Sequence, residues 1–331
     1  MSQSSASAAT GHDKVTACID GSAFAAPVCD AAVWASQRLS APLSILHVID
    51  RNESAEPANG DLSGSIGLGA REHLLEELAT LDEQRGRIAQ EQGRLMLEAA
   101  CERATQAGIT EPRPRQRNGE LVETLAELED EIRLLVIGKR GEGAEQASEH
   151  LGSNLERVIR SLHRPVLVVP GEFQTPTRVL IAFDGSATIK RAIEVLAASP
   201  LLQGAELHLV MVGADSVEHQ APLETARDTL QSAGFNVQAS LKAGEVEACL
   251  REYAKEHAID MLVMGAYGHS RIRQLLVGST TTEMIRNATV PLLIHALYPT
   301  SRYQGTHEPR RHPQQHHLPV WSGRRAGTTL Q

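Results

Sequence analysis

Three glycines followed by hydroxyl side chains come after an apolar segment in the second half of the chain. The residues are Gly265, Gly268 and Gly278, followed directly by Ser279 and Thr280 in the pattern G-x2-G-x9-G-S-T. Glycine at the end of a strand lets a ligand approach the backbone, because no Cβ stands in the way. A helix beginning at Ser279 would offer free N–H groups and a positive dipole end to a phosphate. The pattern therefore predicts phosphate binding; the alternative is that the glycines make turns and Ser279 caps the helix.

The first half of the chain carries a looser version of this pattern. Gly138 and Gly141 have the same separation as the first two glycines above, but ten residues, not nine, separate Gly141 from Gly152 and Ser153. The first half therefore departs from the spacing that sets a phosphate against a helix N-terminus.

The charges of the two glycine segments also differ. Residues 142–151 contain three glutamates and no lysine or arginine, whereas 269–277 contain Arg271 and Arg273 and no carboxylate. Like charges near a polyphosphate are unfavourable in a partly desolvated site, and opposite charges stabilise the bound anion. We therefore predict phosphate binding mainly in the second half. The Lys-Arg pair that precedes the first segment offsets part of the difference, so a first site stays open.

The elements that must position these residues occur twice. The eight residues from Val15, V-T-A-C-I-D-G-S, resemble the eight from Val179, V-L-I-A-F-D-G-S, and place Asp20 and Asp184 164 positions apart. Later landmarks repeat 125 to 127 positions apart, so the first copy holds about 38 extra residues within 48–107. The chain is therefore a tandem repeat of one structural unit, with an insert in the first copy.

Each copy alternates apolar strands with helical segments. In the second copy the predicted strands begin near residues 178, 206, 235, 260 and 290, and the predicted helices cover 187–198, 222–233, 245–257 and 279–287. The run M-L-V-M before Gly265 is apolar throughout, which is typical of a parallel strand covered on both faces. This alternation predicts an α/β fold of two tandem doubly wound modules, each with a five-stranded parallel sheet. Ligands of such sheets bind at the carboxyl ends of the strands.

The predicted domain boundaries follow from the repeat. The first module covers 13–171, with an insert at about 50–93, and the second covers 176–297. Residues 300–331 are rich in Pro, Arg and His and have no apolar period, so we expect this tail to be disordered.

The insert contains one long predicted helix, 71–107. Its heptad seam consists of Leu74, Leu78, Leu81, Arg85, Ile88, Gln92, Leu95 and Ala99. Gly86 and Gly93 weaken the helix by roughly 1 kcal/mol each relative to alanine. The periodicity fits two arrangements: a helix docked on its own module, and a helix that reaches a partner subunit.

Composition excludes several classes of protein. The 331 residues include 32 Lys and Arg against 41 Asp and Glu, a net charge of −9, and only 3% are aromatic. An acidic chain with few stacking side chains is not expected to bind nucleic acid. The four cysteines form no C-x2-C pair, so we expect neither a disulfide framework nor a metal site. The N-terminus lacks the apolar stretch of a signal peptide, and no run is long enough for a membrane helix, so we expect a cytoplasmic protein without membrane contact.

Common catalytic signatures are also absent from the sequence. It contains no G-x4-G-K-[ST] loop and no G-x-S-x-G turn, and the D-G-S after the first strand is not the G-x-G-x-x-G of dinucleotide-binding proteins. His47 and His208 lie in apolar second-strand surroundings, where histidines are usually structural. We therefore name no catalytic residue and leave enzyme activity open, with a non-enzymatic role favoured.

Taken together, these motifs resemble the universal stress protein family, in the form of a tandem member covering roughly 13–297. The resemblance is carried by Asp20 and Asp184 at the ends of the first strands, by the glycine motifs, and by Pro165 and Pro291 at the openings of the last strands. It implies an adenine nucleotide alpha hydrolase-like fold. Nucleotide-binding members hold ATP through the first-strand Asp, the backbone at the end of the second strand and the G-x2-G-x9-G-(S/T) motif.

The resemblance implies two sets of site residues. In the second module they are Asp184, Val212, Gly265, Gly268, Gly278, Ser279 and Thr280. In the first module, where the motif departs from the family pattern, they are Asp20, Val48, Gly138, Gly141, Gly152 and Ser153. Both aspartates also fit a second role, because an Asp-Gly-Ser after a strand can cap the following helix or form a turn.

The sequence therefore predicts a stress-response regulatory protein that binds ATP or a related adenine nucleotide, mainly in the second module, with Mg²⁺ only as the counter-ion of the nucleotide. The expected assembly is a pseudo-dimer of the two modules or a homo-dimer, acting on a protein partner that the sequence does not identify. Because the family also contains members that bind no ATP, one alternative is a scaffold that acts through protein partners. A slow nucleotide hydrolase is the third.

Overall fold

The computed structural model describes residues 13–50, 68–141, 153–266 and 279–295, and the structural statements below concern these ranges. The predicted tail, 300–331, lies outside them. So do 142–152 and 267–278, which hold most of the two glycine segments.

Module 1, the N-terminal copy, alternates strands and helices as the repeat predicts. Its strands are β1 (Lys14–Cys18), β2 (Leu43–Ile49), β3 (Arg113–Asn118), β4 (Ile132–Gly138) and β5 (Val166–Val169). Its helices are α1 (Ala25–Leu39), α2 (Leu68–Gln106), α3 (Leu121–Glu127) and α4 (Ser153–Ser161).

Module 2, the second copy, repeats the order without the long insert. Its strands are β6 (Arg178–Ala182), β7 (Glu206–Val212), β8 (Asn236–Lys242), β9 (Met261–Gly265) and β10 (Leu292–His295). Its helices are α5 (Ala187–Ala197), α6 (Val217–Ser232), α7 (Val246–Glu256) and α8 (Ser279–Asn287). The predicted helices agree with these bounds to within one residue, except that α6 begins five residues early and holds Pro222 inside the helix.

All ten strands form one sheet, in the order β3-β2-β1-β4-β5-β10-β9-β6-β7-β8. Strands within each module are parallel, and the modules meet where β5 and β10 pair antiparallel, with Leu167 opposite Leu293. The two modules are therefore related as the halves of a symmetric dimer are, joined through equivalent edge strands.

Apolar cores cover both faces of the sheet. Neighbouring residues of one strand, such as Val136 and Leu135 of β4, belong to different core clusters because successive side chains of a strand point to opposite faces. Helices α1, α2, α5 and α6 contribute to one cluster, and α3, α4, α7 and α8 contribute to the other. This is the three-layer arrangement of a doubly wound fold.

Helix α2 is the described part of the insert and covers the predicted helix, 71–107, almost completely. Its C-terminal part packs on module 1 through the buried residues Leu97, Ala100 and Ala104, and an ion pair of 2.6 Å joins Arg103 to Asp30 of α1. The large apolar residues of the heptad seam that the structure describes do not take part in this packing and are exposed.

Gly93, which the sequence predicts to weaken α2, is needed for the docking of this helix. A Cβ at Gly93 would lie 2.6 Å from the Cδ2 atom of His47 and 2.6 Å from the Nε2 atom of Gln116. The missing side chain lets α2 approach β2 and β3 closely, so the loss in helix propensity is offset by packing.

Candidate functional site

A cavity of about 730 Å³ opens at the carboxyl ends of β1, β2 and β4 in module 1. Its volume falls within the range of small-molecule sites, about 300–1,000 Å³. It also lies where doubly wound sheets bind their ligands. The predicted residues that line it are Asp20, Val48, Gly138 and Gly141.

Asp20 and Gly141 are in direct proximity, although 121 positions separate them in the sequence. A Cβ at Gly141 would lie 3.0 Å from the Oδ2 atom of Asp20, closer than ordinary side-chain contacts allow. Glycine at this position therefore lets the segment after β4 approach the carboxylate that ends β1.

Asp20 also has the turn-forming role that the sequence leaves open. Its Oδ1 atom accepts a hydrogen bond from the Ser22 backbone N–H at 3.0 Å and another from the Ser22 hydroxyl at 2.5 Å. The turn fixes the orientation of the carboxylate through one oxygen, while the other faces Gly141. Turn formation and nucleotide contact are compatible roles for this aspartate, because a carboxylate can accept several hydrogen bonds.

Gly138 has a packing role besides any role toward a ligand. A Cβ there would lie 2.8 Å from the Cβ atom of Phe24, so the aromatic side chain packs directly over the end of β4. Phe24 lines the same cavity. Part of the space beside the strand end is therefore filled by an aromatic ring.

The insert helix forms one wall of the cavity through Ala89, Gln92 and Met96. His47 of β2 stands between this wall and the sheet; its ring is buried and its Nδ1 atom lies 3.0 Å from the Ile19 carbonyl oxygen. His47 thus has the structural partner that its apolar surroundings predict, and it also lines the cavity.

Two cations lie beside the carboxylates of the cavity. Lys139 and Arg140 line it together with Asp20 and Asp50. Burial lowers the pKa of Lys139, and the nearby Arg140 lowers it further. The Lys139 Nζ atom donates a hydrogen bond of 3.0 Å to the carbonyl oxygen of Ala288, the residue that follows α8 in module 2.

Module 2 repeats the first-strand turn. The Ser186 backbone N–H donates to Asp184 Oδ1 at 2.9 Å, and the Ser186 hydroxyl oxygen caps α5 by accepting from the Ile189 N–H at 3.3 Å. Gly185 sits between them with a φ of 71°, a conformation that favours glycine. The turn presents Asp184 at the end of β6 as Asp20 is presented in module 1.

The strand end and the helix start of the module 2 motif are joined. The Thr281 hydroxyl in the first turn of α8 donates to the Gly265 carbonyl oxygen at 3.2 Å. Val212 ends β7, and the ring of His219 lies over the next residue, since a Cβ at Gly213 would be 3.0 Å from its Cε1 atom. His219 is therefore a neighbour of this strand end that the sequence does not reveal.

Several predicted positions lie outside the described residues. These are Gly152, Gly268 and Gly278, together with the side chains of Ser153, Ser279 and Thr280. The backbones of Ser153 and Ser279 begin α4 and α8, so both predicted motifs lead into helices.

Sequence reasoning missed several residues that line the module 1 cavity: Phe24, Gln92, Met96 and Asn154. Only Asn154 had a usable signal, because it follows the serine of the glycine motif. The others come from α2 and from the residue that precedes α1, and no local pattern links those elements to the glycine segment.

Two general features bear on the chemistry available. The described residues contain no group of three or more His, Cys, Asp or Glu side chains placed to hold a metal ion. Within the same ranges, every helix is too short or too polar to span a bilayer.

Comparison with known proteins supports the resemblance stated from the motifs. The sequence pattern of the universal stress protein family matches residues 11–170 and 176–295. A curated universal stress protein of Synechocystis sp. is 40% identical over 278 residues, which cover 83% of this chain and 97% of that protein.

Solved structures share the architecture of this chain. The crystal structure of a universal stress protein from Archaeoglobus fulgidus matches with a TM-score of 0.63 at 19% identity, covering 86% of this chain and 98% of that one. A functionally unknown protein of Pseudomonas aeruginosa PAO1 matches with a TM-score of 0.54 at 14% identity, over 86% of this chain and 92% of that one. At these identities the two structures show a common fold and nothing more.

Proposed function

Because the chain belongs to the universal stress protein family, we propose that it acts in the stress response by binding ATP or a related adenine nucleotide. The bound nucleotide would hold the glycine segments in one arrangement and so change a surface that protein partners recognise. The observation that carries this proposal is the module 1 cavity, which brings four predicted residues together at the carboxyl ends of three strands.

The cavity has groups suited to an adenine ring. Ile19, Val48 and Ile137 provide aliphatic lining, and Asp20 provides a carboxylate at the same strand ends. A carboxylate accepts hydrogen bonds from an exocyclic amino group, and aliphatic side chains exclude water from the ring faces. The low aromatic content of the chain, 3%, is compatible with such a pocket.

The phosphates would lie toward the cations and the start of α4. Lys139, Arg140 and Asn154 line that part of the cavity, and α4 begins at Ser153. A helix N-terminus beside the Arg140 guanidinium favours an anion. The Lys139 ammonium, which donates to the Ala288 carbonyl oxygen, adds to the positive potential. Any Mg²⁺ would be held by the phosphates, since these ions take oxygen ligands from nucleotides readily.

We propose a second and tighter site in module 2, at Asp184, Val212, Gly265 and the glycine motif that leads into α8. The turn at Asp184 and the Thr281–Gly265 hydrogen bond support this proposal, because the turn orients the carboxylate and the hydrogen bond joins the end of β9 to the start of α8. Arg271 and Arg273 make this motif electropositive, whereas the corresponding segment of module 1 holds three glutamates. The protein would work in the cytoplasm, and no catalytic step is proposed for either site.

A scaffold without nucleotide is the second candidate function. It is favoured by Phe24, whose Cβ atom closely approaches the end of β4 at Gly138, and by the exposed apolar side chains of α2. In that case the glycine segments would only make turns, and protein contacts alone would carry the function.

Nucleotide analysis of the purified protein separates these two functions. Denaturing the full chain and identifying the released small molecules by mass spectrometry should yield adenine nucleotide, and isothermal titration of nucleotide-free protein with ATP should show saturable binding. Protein that releases no nucleotide, and that shows no heat of binding up to about millimolar ATP, would favour the scaffold.

A further inference from the structure

Helix α2 carries most of the large apolar side chains that are exposed in the described residues. Four of the six belong to it: Leu78, Leu81, Ile88 and Leu95, each 42–58% exposed. Their spacings of three and seven place them along one side of the helix, here called the outward stripe. Apolar stripes left in water commonly mark sites of protein association.

The outward stripe faces away from the module to which α2 belongs. The docked face consists of Gly93, Leu97, Ala100 and Ala104. At about 100° per residue, the centre of this face lies roughly 130° around the helix from the centre of the outward stripe. The described part of module 1 does not cover the stripe while the docked face stays buried, so the stripe is open to a partner.

The charges along α2 indicate what that partner is. Residues 76–83 contain four carboxylates and no base, whereas 85–94 contain three arginines and one glutamate. Two parallel copies of this helix would set like charges side by side, and two antiparallel copies would set the acidic segment of each against the basic segment of the other. Charge patterns of this kind determine partner choice and orientation in paired helices.

We propose that the outward stripe packs against the outward stripe of a second copy of this chain, with the two α2 helices antiparallel. Glu77 and Arg85 each lie within about 40° of the centre of the stripe. The antiparallel register that is centred on Leu81 sets Glu77 of one copy against Arg85 of the other; it pairs residues 68–94 of the two helices and leaves Leu95 beyond the paired segment. Both side chains are exposed, at 61% and 62%, and their contacts within the chain, at 3.6 Å to His73 and 4.0 Å to Asp82, lie on the surface. Such surface contacts contribute little to the stability of the fold, so little free energy is lost when they are replaced by contacts across the dimer.

The first test is the mass of the full chain in solution. The outward stripe extends over about 26 Å of helix, a short interface, so we expect dissociation in the micromolar range. Sedimentation equilibrium at about 1–100 µM should show a shift from 35.8 kDa toward twice that mass. The variant L81K/I88K should remain monomeric at the highest concentration, while Ala79→Lys, on the opposite side of the same exposed segment, should dimerise like the wild type.

The second test addresses orientation. Glu77→Lys and Arg85→Glu should each weaken the dimer, by about 10-fold from two lost attractions and two new repulsions. The combined variant E77K/R85E should restore at least most of the affinity, because lysine and glutamate then face each other. In parallel helices each glutamate faces its own copy, so the combined variant would show no rescue.

Three outcomes overturn the proposal. A dimer that persists in L81K/I88K lies on another surface. A monomeric wild type whose outward stripe is protected from hydrogen exchange has a different segment of its own chain on the stripe. A monomer with an unprotected stripe leaves no role for a second copy. None of these outcomes depends on nucleotide binding, so a failure of this proposal can be distinguished from a failure of the proposed function.

Discussion

Modules 1 and 2 form the same turn after their first strands but fill the space beyond it with different side chains. Asp20 and Asp184 each accept a hydrogen bond from the serine two residues later, at 3.0 and 2.9 Å. At the end of the fourth strand, module 1 has the cationic Lys139 where module 2 has the buried Ala266. The duplication has kept the backbone features that present a ligand site, while the charges and volumes around it have diverged.

The divergence extends to the last strands and the connecting helices. The position of Val169 in β5 is occupied in β10 by His295, which is fully buried. Module 1 follows its second strand with the 39-residue α2, whereas module 2 follows it with the 16-residue α6. The surroundings of a site can therefore change, as α2, Lys139 and His295 show, while the sheet stays the same. Ligand binding must therefore be tested in each module separately.

The largest expected effect separates the two sites. Gly278→Val should remove the tighter ATP-binding event, by at least about 100-fold, because a side chain there displaces phosphate and leaves its charged hydrogen bonds unmade. Gly141→Val should affect only the weaker event, by moving the segment after β4 away from Asp20. Isothermal titration with ATP measures both.

Gly171→Val is the matched control, because a Cβ at Gly171 would meet no atom within 4 Å. Equal losses from the two site variants would refute the predicted asymmetry between the modules.

Acid should destabilise module 2 through His295. Burial lowers the pKa of His295 to about 4, and its Nε2 atom has no hydrogen-bond partner among the described residues. In the unfolded chain the His295 imidazole takes up a proton near pH 6.5. The free energy of unfolding therefore has its full value above that pH and falls by about 3 kcal/mol in all as the pH falls from about 6.5 to 4. Denaturant unfolding across this range measures the loss.

His295→Val, which installs the module 1 residue, should remove most of this pH dependence. His208 contributes in the same direction, because burial lowers its pKa as well. A variant whose stability falls with pH as steeply as that of the wild type would contradict the assignment to His295.

The charge difference between the glycine segments predicts selectivity for ATP over AMP. Replacing Arg271 and Arg273 by alanine should weaken ATP binding by about 1–2 kcal/mol, the size of hydrogen bonds to charged groups, and should change AMP binding less. The loss should shrink as the salt concentration rises, because partly exposed charges are screened. Equal weakening of AMP and ATP would show that the arginines shape the loop and do not contact the outer phosphates.

The smallest predicted effect concerns the contact between the modules. Lys139→Met keeps the aliphatic stem but removes the ammonium that binds the Ala288 carbonyl at the end of α8. A cation at a helix C-terminus contributes about 0.3–1 kcal/mol, so the melting temperature should fall by about 1–4 °C, with faster hydrogen exchange in α8. Lys190→Met, at an exposed position of α5, is the control and should change neither quantity.

Local sequence patterns were sufficient to predict the sheet of each module and part of the site. Strand positions follow from continuous apolar runs, and parallel strands bring their carboxyl ends together, so the meeting of Asp20, Val48, Gly138 and Gly141 could be expected. The repeat of this strand and helix pattern along the chain predicted two modules. The order and direction of the strands need only periodicity and chain direction, whereas the choice of these four residues as site residues is what the resemblance to universal stress proteins implies.

Contacts between distant elements could not be predicted in this way. The heptad seam of α2 is a strong periodic signal, but the helix docks through small residues such as Gly93 and Ala104, which carry little periodic signal of their own. The packing of Phe24 over Gly138 depends on the register between α1 and β4, which sequence spacing does not fix. The same holds for the antiparallel pairing of β5 with β10, because any edge strand offers the same backbone groups.

A crystal structure of the full chain with a non-hydrolysable ATP analogue tests the central claim most directly. We expect analogue in both modules, with the adenine beside Asp20 in the module 1 cavity and beside Asp184 in module 2, and with phosphates at the starts of α4 and α8. Occupancy should be higher in module 2 when the analogue is limiting. Electron density that shows both strand-end sites empty at saturating analogue would contradict the claim that this protein binds adenine nucleotide through these residues.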